Sequence, residues 1–310
     1  AMSTEPAEIS LFSRGRQRAF IKVQDGCRYR CTFCIVTVAR GEEKSTPIEK
    51  IVQEINNFVV QGVKEVILTG VHLGGYGSDI NQNLAELIQV ILDQTQVPRL
   101  RLGSLEPWDL PENFFALFNN PRLMPHLHLP LQSGSDSVLK RMARRCKTAE
   151  FSQIVHQARR QVPNINIPTD IIVGFPGETE HEWQDSYNFI KQTGFGHIHI
   201  FTYSTRSGTK AAALPDPVLN KIKKQRSQEL HQLAEQMKQS FMQQNLGESV
   251  DILWEGQKED INETQHRVFG YTPNYIRVAT MISDGESIEN QIIPALSKEI
   301  NENYLLTERV

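Results

Sequence analysis

Cysteine is scarce in this 310-residue chain, with four residues in all. Four are too few, and too unevenly placed, for a disulfide framework, so reduced thiols and a cytoplasmic protein are expected. No apolar run reaches the roughly 18 residues of a membrane span. The opening AMSTEPAEISLF lacks the basic-then-apolar order of a signal peptide, and its Ala1-Met2 reads as an expression remnant. An excess of one charge is missing too. With 33 Lys+Arg against 36 Asp+Glu the net charge is -3. From Asn245 onward there are 5 basic and 12 acidic residues, which leaves 28 against 24 in the rest. A nucleic-acid partner would therefore meet local basic patches, not a whole-molecule field.

What cysteine there is lies together. Cys27, Cys31 and Cys34 fall within eight residues, spaced C-x3-C-x2-C. A closed zinc site takes four protein ligands, and iron–sulfur cubanes also usually take four thiolates. Three thiolates leave one coordination position open, and open positions are where metal chemistry occurs. Soft thiolates suit zinc, copper(I) or iron–sulfur clusters, and the spacing alone leaves zinc open. Cys146 stands apart in a basic segment and reads as a free thiol.

The surrounding pattern places the trio. Strands are predicted at 19–24, 65–69, 99–103, 126–131, 165–173 and 197–203, from β-branched or alternating runs. Helices are predicted at about 47–59, 84–92, 111–119, 148–161, 180–194 and 214–245. Strand–helix alternation argues for parallel βα units. Six units are fewer than the eight of a closed barrel, so the expected fold is α/β, a partial six-unit (β/α) barrel. Five short β runs after Gly247 predict a small all-β barrel. The expected division is a linker at 1–18, a barrel domain with its C-terminal linker helix at 19–244, and a β domain at 245–310. The cysteine loop and the loops 70–78, 104–106, 132–135, 174–178 and 203–209 all follow strand ends, where such folds keep their functional residues.

A strand followed by C-x3-C-x2-C, with Phe33 before the last cysteine, resembles the radical S-adenosylmethionine (SAM) superfamily. The segments DGCRYRCTFCIVTVARG, LTGVHLGGYG, RLGSLEP, HLHLPLQSGSDSVLKRMARR, TDIIVGFPGETEHEW and HIFTYSTRSGT resemble its methylthiotransferase branch. The VHLGGYG loop is similar to that of the bacterial tRNA N6-threonylcarbamoyladenosine methylthiotransferases (MtaB type). GESVDILWE and GYTPNYIRV resemble the tRNA-binding TRAM domain. The resemblance implies a 4Fe-4S cluster on Cys27, Cys31 and Cys34, with SAM chelating the fourth iron. It implies methylthiolation of a modified adenosine beside the anticodon, a tRNA anticodon stem-loop as partner, and a flavodoxin-like electron donor. Phe33 would lie near adenine. Gly70, Gly74, Gly75, Ser104, Glu106, Gln132, Ser133, Arg144, Gly174, Pro176, Gly177 and Tyr203 are the further expected SAM contacts. Full-length relatives carry a second 4Fe-4S cluster in an N-terminal domain with three more cysteines. No second trio is present here, so a piece of a longer enzyme is expected.

Plainer readings stand beside these. Glu178 reads as a helix cap, Lys221–Arg226 as a solvated helix start, and His72, His126, His128, His197 and His199 as strand residues without a direct role. The rival functions are a methylthiotransferase of another branch, another radical SAM enzyme acting on a protein or small molecule, and an inert tRNA-binding module with structural zinc.

Overall fold

The computed structural model describes residues 17–310. Most of the expected linker, with Arg14 and Arg16, lies outside the described residues, and Arg18 already belongs to the first strand. β1 (Arg18–Asp25), β3 (Glu65–Gly70) and β4 (Arg99–Leu102) pair in parallel, with the two-residue β2 (Lys44–Ser45) antiparallel on the outer edge of β1. β5 (Thr169–Val173) and β6 (Ile198–Thr202) form a second parallel pair. The expected fourth strand, 126–131, is extended but not a regular strand. Parallel bridges Leu100–Leu123, His126–Asn166 and Gln132–Ile171 join it to its neighbours. Pro125, Pro130 and Pro168 interrupt this region, and a proline has no N–H to give a ladder. Pro168 also explains why the strand predicted from 165 begins only at Thr169. The six parallel segments make a half-barrel, open between its two edges.

Helices cover its outer face. α1 (Val36–Arg40) follows the cysteine loop, and α2 (Ile48–Val60) starts at Pro47 with no side-chain cap, so Thr46 does not cap it. α3 (Leu84–Gln94) is capped by the Asn83 side chain. α4 (Asp136–Arg141), read from sequence only as a basic segment, is a helix with Val138 and Leu139 buried. α5 (Thr148–Gln161), α6 (Glu180–Thr193) and α7 (Asn220–Gln243) complete the set. The predicted helix at 111–119 is a short 3-10 turn at Phe114–Asn119. On β1 the outward Ala19, Ile21 and Val23 are buried while Phe20 and Lys22 face the lumen side and are exposed. They pack with Ile51 and Ile55 of α2 and Leu87, Ile88 and Ile91 of α3 in one core. Each buried Val, Ile or Leu among them contributes about 1.5–3 kcal/mol.

The C-terminal strands β7 (Ser249–Asp260), β8 (Gln265–Tyr271), β9 (Arg277–Ser283), β10 (Ile292–Asn301) and β11 (Tyr304–Arg309) close into a barrel. Ile252, Trp254, Val278, Ala295 and Leu305 fill it. A buried ionic cluster fastens this barrel under the half-barrel. Glu65 is fully buried. It accepts from Arg18 Nε (2.7 Å) and from Arg101 Nη2 (2.9 Å) and Nε (3.2 Å). Arg18 also pairs with Glu255, Arg99 donates to the carbonyls of Tyr271 and Asp251, and Arg101 donates to that of Pro273. Burial favours the neutral carboxyl, but Arg101, Arg18 and Arg99 outweigh it and hold Glu65 down at about 2.

Candidate metal and cofactor centre

The cysteine loop leaves the C-terminal end of β1. Gly26 turns it at φ +75°, and a Cβ there would sit 2.0 Å from the Glu42 carbonyl oxygen. Only glycine permits that fold-back. Backbone bonds then fix the loop. Cys27 N–H donates to Gly41 O (3.2 Å), Thr32 N–H to Met142 O (3.0 Å), and Ala211 N–H to Thr32 O (2.8 Å). The Thr32 hydroxyl donates to Arg141 O (2.8 Å). The loop is thus tied to the end of α4 and to the segment after β6.

All three cysteines are half-buried free thiols. Burial pushes the Cys27 thiol up to about 11, with Cys31, Glu106 and Cys34 adding to the effect against a hydrogen bond from Tyr29 N–H. Burial also raises Cys31, against the pull of Arg144. Three thiols share one loop in which burial and neighbouring sulfurs disfavour the thiolates of Cys27 and Cys31, and a bound cation reverses that balance. Arg144 stands over them. Its side chain is 3% exposed, its Nη1 lies 3.9 Å from Cys31 Sγ, its Nη2 lies 2.7 Å from Glu106 Oε2, and it stacks over Trp108 at 4.3 Å. The expected residues Glu106 and Arg144 are therefore paired with each other. Arg144 Nε, Trp108 Nε1 and the Tyr203 hydroxyl are buried with no hydrogen-bond partner among the described residues. Orphaned polar atoms beside an open donor set fit a polar ligand.

Phe33 packs into a small apolar group with Val138, Met142, Phe175 and Tyr203, the last two rings meeting edge-on at 5.4 Å. The structure thus brings together the cysteine loop, the 174–177 loop and Tyr203. Gly174 and Gly177 have φ +72° and +73°, and Pro176 is buried between them. A Cβ at Gly174 would meet Lys223 Cγ at 2.4 Å. Other expected contacts are occupied by the protein's own groups. The Cβ positions of Gly74 and Gly75 are filled by Asp109 and by His72 with Glu43, and that of Gly70 by Gln24. Ser104 Oγ pairs with His128 Nδ1 at 2.8 Å. The Ser133 hydroxyl accepts from Ser135 N–H. Gln132, at φ +77°, carries the bridge to β5 through its backbone.

Several residues differ from the sequence reading. Glu178 does not cap α6, where Thr179 and Glu182 form a capping box. It is buried and bound to Arg226 at 2.7 Å. Arg226 is therefore not part of a solvated helix start, although Lys221 and Lys224 of the same run are exposed. His72, read as an ordinary strand-end residue, is buried between two carboxylates. Its Nε2 meets Asp109 Oδ2 at 2.6 Å and its Nδ1 meets Glu43. Burial opposes the charge, yet hydrogen bonds to Asp109 and Glu43 raise its pKa above the ordinary value. Asp109 also accepts from the Tyr29 hydroxyl (2.7 Å), so this network grips the cysteine loop from its other side. The only sequence signal for it was an internal histidine beside a glycine pair. Cys146 is buried in the main core, and burial pushes its thiol up to about 12, as suits an inert thiol.

A sequence model of the radical SAM superfamily matches residues 21–190. The chain belongs to the radical SAM superfamily. Threonylcarbamoyladenosine tRNA methylthiotransferase MtaB of Bacillus subtilis is 37% identical over 277 residues, covering 88% of this chain and 61% of that protein. The protein of the same name from Chlamydia pneumoniae is 34% identical over 297 residues, covering 96% and 69%. These relatives place the chain in the methylthiotransferase branch. It spans about six-tenths of the length of the first relatives it matches. The radical SAM methyltransferase TsrM of Kitasatospora setae has the same fold, with TM-score 0.56 at 16% identity, covering 68% of this chain and 42% of that one. Members of this superfamily hold a 4Fe-4S cluster and SAM, and the three-cysteine loop is the donor set that such a pair needs. Among the described residues no helix is long and apolar enough to cross a membrane.

Proposed function

We propose that this chain is the radical-generating and RNA-binding part of a tRNA methylthiotransferase acting on N6-threonylcarbamoyladenosine beside the anticodon. One observation carries the reading: three free thiols converge on a loop at the strand-end mouth of a half-barrel, under the buried Arg144 and beside the Phe33–Phe175–Tyr203 group. Cys27, Cys31 and Cys34 would hold the cluster and leave one position for SAM. When bound, that pair supplies one-electron cleavage of SAM and so the hydrogen abstraction that an inert C–H bond requires. Phe33, Phe175 and Tyr203 shape an apolar slot for adenine, with the Tyr203 hydroxyl as its one polar handle. Arg144 offers a guanidinium fork to the SAM carboxylate, held ready by Glu106. Gly70, Gly74, Gly75, Ser104, Gln132, Ser133, Gly174, Pro176 and Gly177 shape the rim by backbone and by close packing.

In this reading residues 19–244 generate the radical and residues 245–310 meet the RNA. The electron donor is a small flavodoxin-like protein. The assay is anaerobic reconstitution, then SAM, reductant and anticodon stem-loop RNA. Formation of 5'-deoxyadenosine is expected to rise with RNA carrying N6-threonylcarbamoyladenosine and not with RNA carrying isopentenyladenosine. An equal response to both RNAs, or to neither, would overturn the substrate assignment.

A further inference from the structure

A second cluster of ligand-type side chains, none of them in the cysteine loop, is carried by three neighbouring segments of the half-barrel. His128 sits in the extended segment 126–131, Asp170 on β5 and His199 on β6. Asp170 and His199 are direct partners in the parallel ladder, and Leu129 N–H bonds Pro168 O on the other side. Three adjacent strands therefore present the three side chains at one level, on rigid backbone. One ligand atom from each lies within 4.8 Å of the others. His128 Nε2 and Asp170 Oδ1 are 3.0 Å apart.

We propose that His128, Asp170 and His199 form a divalent transition-metal site with an open coordination position. Two imidazoles and one carboxylate suit zinc or ferrous iron and exclude a preference for magnesium or calcium. Ligands at about 2.0–2.2 Å from one tetrahedral ion stand roughly 3.4 Å apart. The His128–Asp170 pair is already close to that spacing. His199, the exposed member, closes the remainder by side-chain rotation. Neither of its ring nitrogens is hydrogen-bonded among the described residues. Ser104 supplies the outer partner that metal-bound histidines usually have: with Nδ1–H given to Ser104 Oγ at 2.8 Å, Nε2 presents its lone pair toward Asp170. His128 and His199 also line a cavity of about 450 Å³ between the half-barrel and the C-terminal barrel, together with Tyr271, Tyr275 and Arg277. That space admits water or a small anionic ligand as the fourth donor. The plain alternative is a Ser104–His128–Asp170 hydrogen-bond chain with no ion.

The test separates this site from the cysteine loop. The full chain carrying Cys27→Ala, Cys31→Ala and Cys34→Ala is titrated with zinc or cobalt(II), desalted and analysed for metal. About one ion per chain is expected, without thiolate charge-transfer bands in the cobalt form. Asp170→Asn and His199→Ala added to this background are expected to abolish retention. Ser104→Ala is expected to weaken binding about ten- to a hundredfold. Circular dichroism establishes that each variant is folded. The same titration on the wild-type chain, its cysteines first occupied by reconstituted iron, is expected to add one zinc without displacing iron. No ion retained by either folded protein, or retention unchanged by Asp170→Asn and His199→Ala, overturns the proposal and leaves the hydrogen-bond chain. Because the triple-cysteine variant holds no cluster, this outcome is independent of the radical reading.

Discussion

Glu65→Gln tests whether one buried carboxylate holds the two barrels together. Among the described residues Glu65 is the only anion directly bonded to both Arg18 and Arg101 in the sealed layer between β1, β3, β4 and the C-terminal barrel, and Arg99 lies 3.9 Å away. Glutamine keeps the shape and removes the charge, so Arg18, Arg99 and Arg101 would lose their shared buried counter-charge and keep only Glu255 and Asp251 at the edge of the site. Breaking a buried pair in this way costs about 3–5 kcal/mol. The carboxyl's own titration gives an independent figure. Held at about 2 instead of 4.5, at about 1.4 kcal/mol per pH unit, it contributes roughly 3 kcal/mol. Because the folded value is depressed, that contribution is present in full above about pH 4.5 and is lost as pH falls toward 2. Urea unfolding followed by near-ultraviolet circular dichroism at pH 7 and at pH 3 reads both effects. The variant should be less stable by about 3–5 kcal/mol at pH 7, and the gap should narrow at pH 3. A gap below about 1 kcal/mol at pH 7, or one that is the same at both pH values, would refute the assignment.

Three further outcomes follow from the same geometry. Cys31→Ala should abolish 5'-deoxyadenosine formation while the buried Cys146→Ala leaves it, measured by liquid chromatography; equal loss would make Cys146 a ligand or an essential core residue. Gly26→Ala should cost about 1–3 kcal/mol of stability and most of the bound iron, because the loop cannot fold back on Glu42; full iron occupancy would contradict this. For His72→Gln the loss should be about 1.5–3 kcal/mol and pH-dependent. The raised pKa means that the histidine's contribution is complete below about 6.5 and disappears as pH rises through the folded value, so the wild-type advantage in urea should shrink between pH 6 and pH 9. A constant advantage would show that the imidazole is not charged.

Local periodicity made much of the fold legible. Ile48, Ile51 and Ile55 marked α2, the apolar stretch 84–92 marked α3, and the short β runs 249–255 and 266–271 marked the first two strands of the closed barrel. The cysteine trio stood out because three soft ligands in eight residues are rare without a metal. What stayed hidden depends on contacts between distant residues. Arg144 meets Glu106 across 38 positions, Arg226 meets Glu178 across 48, and His72 meets Glu43 and Asp109 from opposite directions along the chain. None leaves a periodic trace, so Glu106 and Arg144 read as separate cofactor contacts, Glu178 as a helix cap, Arg226 as part of a solvated helix start and the histidine as incidental. Proline obscured the fourth strand differently: the alternation of His126–Leu131 is real, but Pro125, Pro130 and Pro168 limit the pairing to isolated bridges.

Iron and acid-labile sulfide content after anaerobic reconstitution decides what the cysteine loop holds. About four of each per chain are expected, with broad visible absorption, and loss of both in Cys27→Ala, Cys31→Ala or Cys34→Ala. Tightly retained zinc at the cysteine loop, with no iron or sulfide taken up, would contradict that expectation.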